Sequence, residues 1–179
     1  MAIREVIKYP DPILKTKTGP VSEITPEIKT LIDDMVETMY DKRGIGLAAN
    51  QVGVSKRVVV LDVPDEDTEG TEREKGKNLI ALINPEIVNF QGSIRYEEGC
   101  LSVPGITAEV VRAAEVRVKA LDREGKPVEI SAVGLFAIAL QHEIDHIDGV
   151  LFIDRLSWLK RDFIKRKLRK TTEDEPAAV

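Results

Sequence analysis

The chain contains one cysteine, two histidines and no apolar run of membrane-spanning length. Each scarcity excludes something. A lone cysteine cannot close an internal disulfide, which points to a reducing compartment and leaves the thiol as a core residue, a nucleophile or a metal ligand. The run GLFAIAL at 134–140 is far shorter than the ~20 residues a bilayer requires. The opening MAIREVIKYPDPIL meets prolines early and has neither the apolar core of a secretory signal nor the Arg- and Ser-rich character of a transit segment. A soluble cytoplasmic protein with no membrane partner is expected. Internal repeats are missing too, and the Gly44–Gly46 stretch lacks the Lys-Ser/Thr ending of a phosphate loop.

What is present fits one globular domain. The 179 residues are 42% apolar and 32% charged, enough for a core without disulfide support and too few for two comfortable domains. A net charge of −5 argues against general nucleic-acid binding. The charge is uneven, however. KRDFIKRKLRK at 160–170 holds seven basic residues and one acidic one, whereas the end, EDEPAAV, is acidic or bland. Residues 1–170 are expected to form the domain and 171–179 a flexible tail.

The periodicity predicts a mixed fold. TPEIKTLIDDMVETMYDKRG reads as a first helix, with Thr25 as N-cap, Pro26 in the first turn, Ile28, Leu31, Ile32, Met35 and Met39 facing the core, and Gly44 as the stop. RVVVLD at 57–62 reads as a strand, and LIALINP at 79–85 as another, ended by Pro85. Between them lies a charged loop over 62–78, expected to be solvated and mobile. EVRVKALD and PVEIS form a predicted hairpin turning at Gly125. VGLFAIALQHEIDHIDG reads as a buried second helix stopped by Gly149, and a last helix covers roughly 157–170. Helices mixed with short antiparallel strands, without regular βαβ alternation, indicate an α+β single domain around a central helix.

That central helix carries the chemistry. His142 and His146 lie about 40° apart around it, one turn above the other, with Glu143 beside them. Two imidazoles can share one ion there while a carboxylate stands close to any further ligand. Two histidines are an incomplete set. Asp154 and Asp162 are available downstream but sit in no second motif; Cys100, in EEGCLSVPG, is the better third ligand. Cys plus two His leaves a coordination position open, and zinc, ferrous iron, cobalt or nickel would suit these donors.

Three segments in order, GIGLAANQVG at 44–53, EGCLSVP at 98–104 and QHEIDHIDG at 141–149, together resemble the peptide deformylase family. YPDPIL, INPEI and GVLFIDRLS are similar as well, so the resemblance spans roughly residues 3 to 160. It implies hydrolysis of the N-terminal formyl group of formyl-methionyl nascent polypeptides, releasing formate. It also implies one divalent ion, Fe2+ physiologically with Zn2+, Ni2+ or Co2+ as substitutes, held by Cys100, His142 and His146. By the same resemblance Glu143 is the acid and base, while Gln51 and the Leu101 backbone N–H bind the developing oxyanion. Glu98 and Arg112 would pair as buried support for the Cys100 loop. Ile45 and Gly46 would border the peptide groove. Leu135, Ile138 and Ala139 share a helix face with His142 and join Ile45 as candidates for the methionine pocket. The family varies at Asn50, and its compact members have a shorter loop at 62–78. The basic C-terminal helix resembles one by which some bacterial members dock on the ribosome, and a monomer is expected.

Two rival readings remain distinguishable. A metallopeptidase would take a carboxylate as third ligand and turn over unformylated peptides. A non-enzymatic metal-binding or ribosome-associated protein would retain metal or dock without Glu143-dependent hydrolysis.

Overall fold

The computed structural model describes residues 2–65 and 74–174. Residues 66–73 of the expected charged loop and the last five residues of the expected tail lie outside the described residues.

Helix α1, Pro26–Asp41, begins where sequence rules place it, with Thr25 extended at the N-cap and Pro26 in the first turn. Leu31, Ile32, Met35 and Met39 are buried. Its end differs from expectation. Arg43, not a glycine, adopts the left-handed conformation (φ 57°). The N–H groups of Arg43 and Gly44 reach back to the Tyr40 and Met39 carbonyls at 3.1 and 2.8 Å. These two bonds form a Schellman motif, and they satisfy carbonyls the helix would otherwise leave open.

A five-stranded antiparallel sheet runs in the order β1 (Gly46–Ala48), β2 (Val58–Asp62), β3 (Leu79–Gln91), β6 (Glu115–Leu121), β7 (Pro127–Val133). All five residues of β2 are buried, which explains its unbroken VVVL run. Side chains alternate across the strand: Val58 and Val60 join the core under α1, whereas Val59 and Leu61 join the core under the second helix. One strand thus divides two cores.

Strand β3 does not stop at Pro85. It continues to Gln91 through a register shift between Ile83 and Glu86, where Pro85 needs no ladder donor. Asn84 takes φ 52° at the shift, and its side chain both accepts from the Val21 N–H and donates to the Val21 carbonyl, each at 2.8 Å. The predicted β6–β7 hairpin is present, with Gly125 at φ 86° in its turn.

Strands β4 (Ile94–Cys100) and β5 (Val103–Arg112) form a separate antiparallel pair that no periodicity announced. It packs through Val103, Ile106 and Val110 on Leu151, Phe152 and Ile153. Helix α2, Gly134–Ile147, lies against the sheet, and Gly149 follows it at φ 75°. A side chain at residue 149 would collide with the Lys15 backbone, so the N-terminal segment closes over this helix end. Helix α3, Trp158–Asp174, runs four residues beyond the expected boundary.

Asn84→Ala loses both Val21 bonds and strains a left-handed backbone, and should cost about 2–4 kcal/mol of unfolding free energy. Asn84→Gly keeps the backbone and should cost roughly half as much. Urea unfolding of both variants checks this; equal losses would refute the backbone contribution.

Candidate metal centre

Cys100 ends β4, just past a register shift between Gly99 and Cys100. His142 and His146 come from one face of α2. The three donor atoms meet within 4.8 Å of one another. Cys100 Sγ and His146 Nε2 are 3.2 Å apart, as are the two Nε2 atoms of the histidines. Ligands at ordinary zinc-type bond lengths in a tetrahedral set stand roughly 3.3–3.6 Å from each other, so the spacing suits one ion.

The electrostatics suit a cation as well. Burial opposes charge on His142, yet the Cys100 and Glu98 groups beside it raise its pKa well above the ordinary value. Burial pushes His146 well below its ordinary value, and His142 adds to the effect, so this imidazole is neutral with a lone pair to give. His142 Nδ1 is 2.8 Å from Glu98 Oε2, a contact that turns Nε2 toward the other two donors.

Glu98 belongs to a buried ion network. Arg112 Nε and Nη2 donate to its two oxygens at 2.7 and 2.8 Å, and Nη1 donates to Asp145 on α2. Arg155 donates to the same Asp145 through Nε and Nη2. Burial alone would raise the Glu98 pKa; Arg112 and His142 outweigh it and hold the carboxyl at about 2.

Glu143 is treated differently. It is 5% exposed, its Oε2 has no hydrogen-bond partner among the described residues, and burial pushes its pKa up to about 7. Its carboxylate lies against Gly46 of β1; a Cβ there would sit 2.9 Å from the Glu143 carboxyl carbon. Glycine at residue 46 is what leaves the carboxylate its space.

Gln51 is 2% exposed in the 3₁₀ turn Ala49–Val52. The Ala48 N–H donates to its Oε1 at 2.9 Å, which fixes the amide so that Nε2 faces Ser102 Oγ at 3.1 Å and Cys100 Sγ at 3.6 Å. A cleft of about 880 Å³ opens over these groups, and Ile45, Gly46, Leu101, Leu135, Ile138 and Ala139 line it. Gln51, Glu98, Cys100, His142 and Glu143 line it too, while His146 meets Cys100 and His142, and Arg112 holds Glu98. Asp154 and Asp162, the other acidic candidates, pair with Lys15 and Arg166 instead.

Sequence reasoning missed Ser102, Asp145 and Arg155. Ser102 donates its N–H to Cys100 Sγ at 3.4 Å as well as receiving Gln51. Asp145 stood within the histidine motif, but the spacing alone gave no partner for it.

The family described as polypeptide deformylase matches residues 3–162. The chain belongs to that family. The peptide deformylase of Thermodesulfovibrio yellowstonii is 53% identical over 169 residues, covering 94% of this chain and 98% of the relative. Among solved structures, a peptide deformylase from Legionella pneumophila is 48% identical with a TM-score of 0.85, covering 98% of this chain and 100% of the other. Peptide deformylase from Ehrlichia chaffeensis, in complex with actinonin, is 42% identical with a TM-score of 0.87, covering 99% and 100%. Members of the family are metal-dependent hydrolases, and membership brings their activity with it: removal of the N-formyl group from nascent polypeptides.

The ion network is testable. Glu98→Ala leaves the Arg112 guanidinium buried with half its partners, and should cost about 3–5 kcal/mol of stability. Metal affinity should fall about 10–100-fold, because nothing then orients His142. Competition with a chelator measures the second effect; unchanged affinity would refute the orienting role.

Proposed function

We propose that this cleft hydrolyses formyl-methionyl peptides with Cys100, His142 and His146 as metal ligands, Glu143 as acid and base, and Gln51 with the Leu101 N–H as oxyanion donors. The buried carboxylate of Glu143, which shares the cleft with His142 and whose Oε2 has no hydrogen-bond partner among the described residues, carries the reading. A divalent ion on these ligands supplies Lewis acidity, which acidifies water and polarises a carbonyl.

The protein's own groups do the rest. Glu143, with a pKa of about 7, accepts a proton from the attacking water near neutral pH. Attack on the formyl carbon places negative charge on its oxygen. The Gln51 amide, held by the Ala48 N–H, exchanges its long Nε2 contact with Cys100 Sγ for that charge, and the Leu101 N–H assists. Glu143 then returns its proton to the departing amine. Formyl is the smallest acyl group, and the closeness of Gly46 to Glu143 keeps room for little more. Ile45, Leu135 and Ile138 receive the methionine side chain, an apolar lining for an apolar residue.

Ferrous iron is the physiological ion on this reading, by the family resemblance, with zinc, nickel or cobalt as substitutes that the same thiol and imidazole donors suit. The enzyme acts as a cytoplasmic monomer. No helix among the described residues is long and apolar enough to cross a membrane. Helix α3 docks on the ribosome: Ile164 holds one face to the core, while Leu159 and Phe163, 71% and 70% exposed, stand outward among basic residues.

Formate release from formyl-Met-Ala-Ser by iron-loaded protein tests the mechanism. Glu143→Ala should slow it about 10²–10⁴-fold, and the acetylated peptide should not react. Equal rates for the variant and the parent would overturn the assignment. Changing Lys165, Arg166 and Lys167 together to Ala should abolish ribosome co-sedimentation; unchanged binding would exclude docking through α3.

A further inference from the structure

We propose that Asn50 is a positioning residue that sets the direction of the His146 imidazole. The proposal rests on the assignment of His146 as a metal ligand, and it concerns a side chain to which sequence reasoning gave no role.

The two histidines are held in different ways. His142 has Glu98 on its Nδ1. His146 Nδ1 is buried and has no hydrogen-bond partner among the described residues. Nothing on the ring's far side therefore fixes it, and its aim depends on where the backbone of residue 146 is placed. Asn50 acts there. Its side chain is fully buried, and Nδ2 donates to the His146 carbonyl at 2.5 Å.

This carbonyl lies in the last turn of α2, where no further helical N–H groups follow in register to hold the chain. The Gly149 N–H also donates to it, at 3.0 Å, but comes from the turn leaving the helix. Asn50 is different because it comes from the 3₁₀ turn that carries Gln51. One residue thereby ties the oxyanion donor to a ligand on another element. A shift of a few tenths of an ångström in the α2 end would move His146 Nε2 away from Cys100 Sγ, which is 3.2 Å away.

Thr18 provides the comparison. Its N–H and Oγ1 both donate to the Ile147 carbonyl, one residue further on, at 2.9 Å. Thr18 thus supports the same helix end without holding the ligand residue itself.

The experiment uses the full chain loaded with Co2+, whose visible spectrum reports ligand geometry. Asn50→Leu keeps the size of the side chain and removes the donor, and Asn50→Ala removes the group altogether. Both should shift the Co2+ bands and release the ion to EDTA at least about tenfold faster than the parent. Thr18→Val should lower the thermal midpoint yet leave the spectrum unshifted and the release rate within about twofold of the parent. Asn50 variants with parental spectrum and release would overturn the proposal. So would an equal shift in Thr18→Val, which would make the effect one of helix-end stability. Failure of both Asn50 variants to fold would overturn it too, by making Asn50 a residue of the fold rather than of the site. Failure of the parent to take up Co2+ would sink the ligand assignment together with this proposal.

Discussion

The Arg112 guanidinium, enclosed between Glu98 and Asp145, is the interaction on which the site depends. Its side chain is 1% exposed, and it joins three elements: β4 through Glu98, β5 through its own backbone and α2 through Asp145. The β4–β5 pair is not hydrogen-bonded into the main sheet. Cys100 and the histidines thus sit on separate structural units, and this buried cation brings them into register. A charge so placed is tolerable only with its hydrogen bonds complete. That condition makes the network sensitive to the loss of any partner.

The same arrangement holds two buried carboxylates near His142 in opposite electrostatic states. Glu98 is tied to Arg112 and His142 and stays ionised, so it orients without exchanging protons. Glu143 has no such cation bonded to it, and burial leaves its proton easily gained and lost near neutrality. Gly46 contributes by having no side chain. It admits the Glu143 carboxylate to β1, an edge strand of the sheet. Fold and chemistry meet in β2, whose two buried faces support α1 on one side and α2 on the other.

Much of this was legible in the sequence because the relevant signals are local. The spacing of His142, Glu143 and His146 reads directly on a helix, and the VVVL run could only be buried. The sole cysteine, Cys100, stood out as the missing third donor, and family resemblance supplied what spacing did not: the Glu98–Arg112 pair and an expected oxyanion role for Gln51. Other features stayed hidden for physical reasons. Strand β4, IRYEEGC, is largely exposed, so it carries no core pattern. Pro85 reads as a strand end unless one knows that Asn84 can turn left-handed and bond to Val21. Arg43 takes the place expected of a glycine, because the Schellman bonds to Met39 and Tyr40 offset the cost of its backbone. Arg155 meets Asp145 only after the chain turns back along the helix, a contact no residue spacing encodes.

X-ray absorption at the metal edge of the iron-loaded protein tests the central claim most directly, because it counts the neighbours of the ion by element. Coordination by one sulfur and two imidazole nitrogens, with lighter atoms completing the shell, is the predicted result. A shell without sulfur, or with a single imidazole, would contradict the convergence of Cys100, His142 and His146 on one ion.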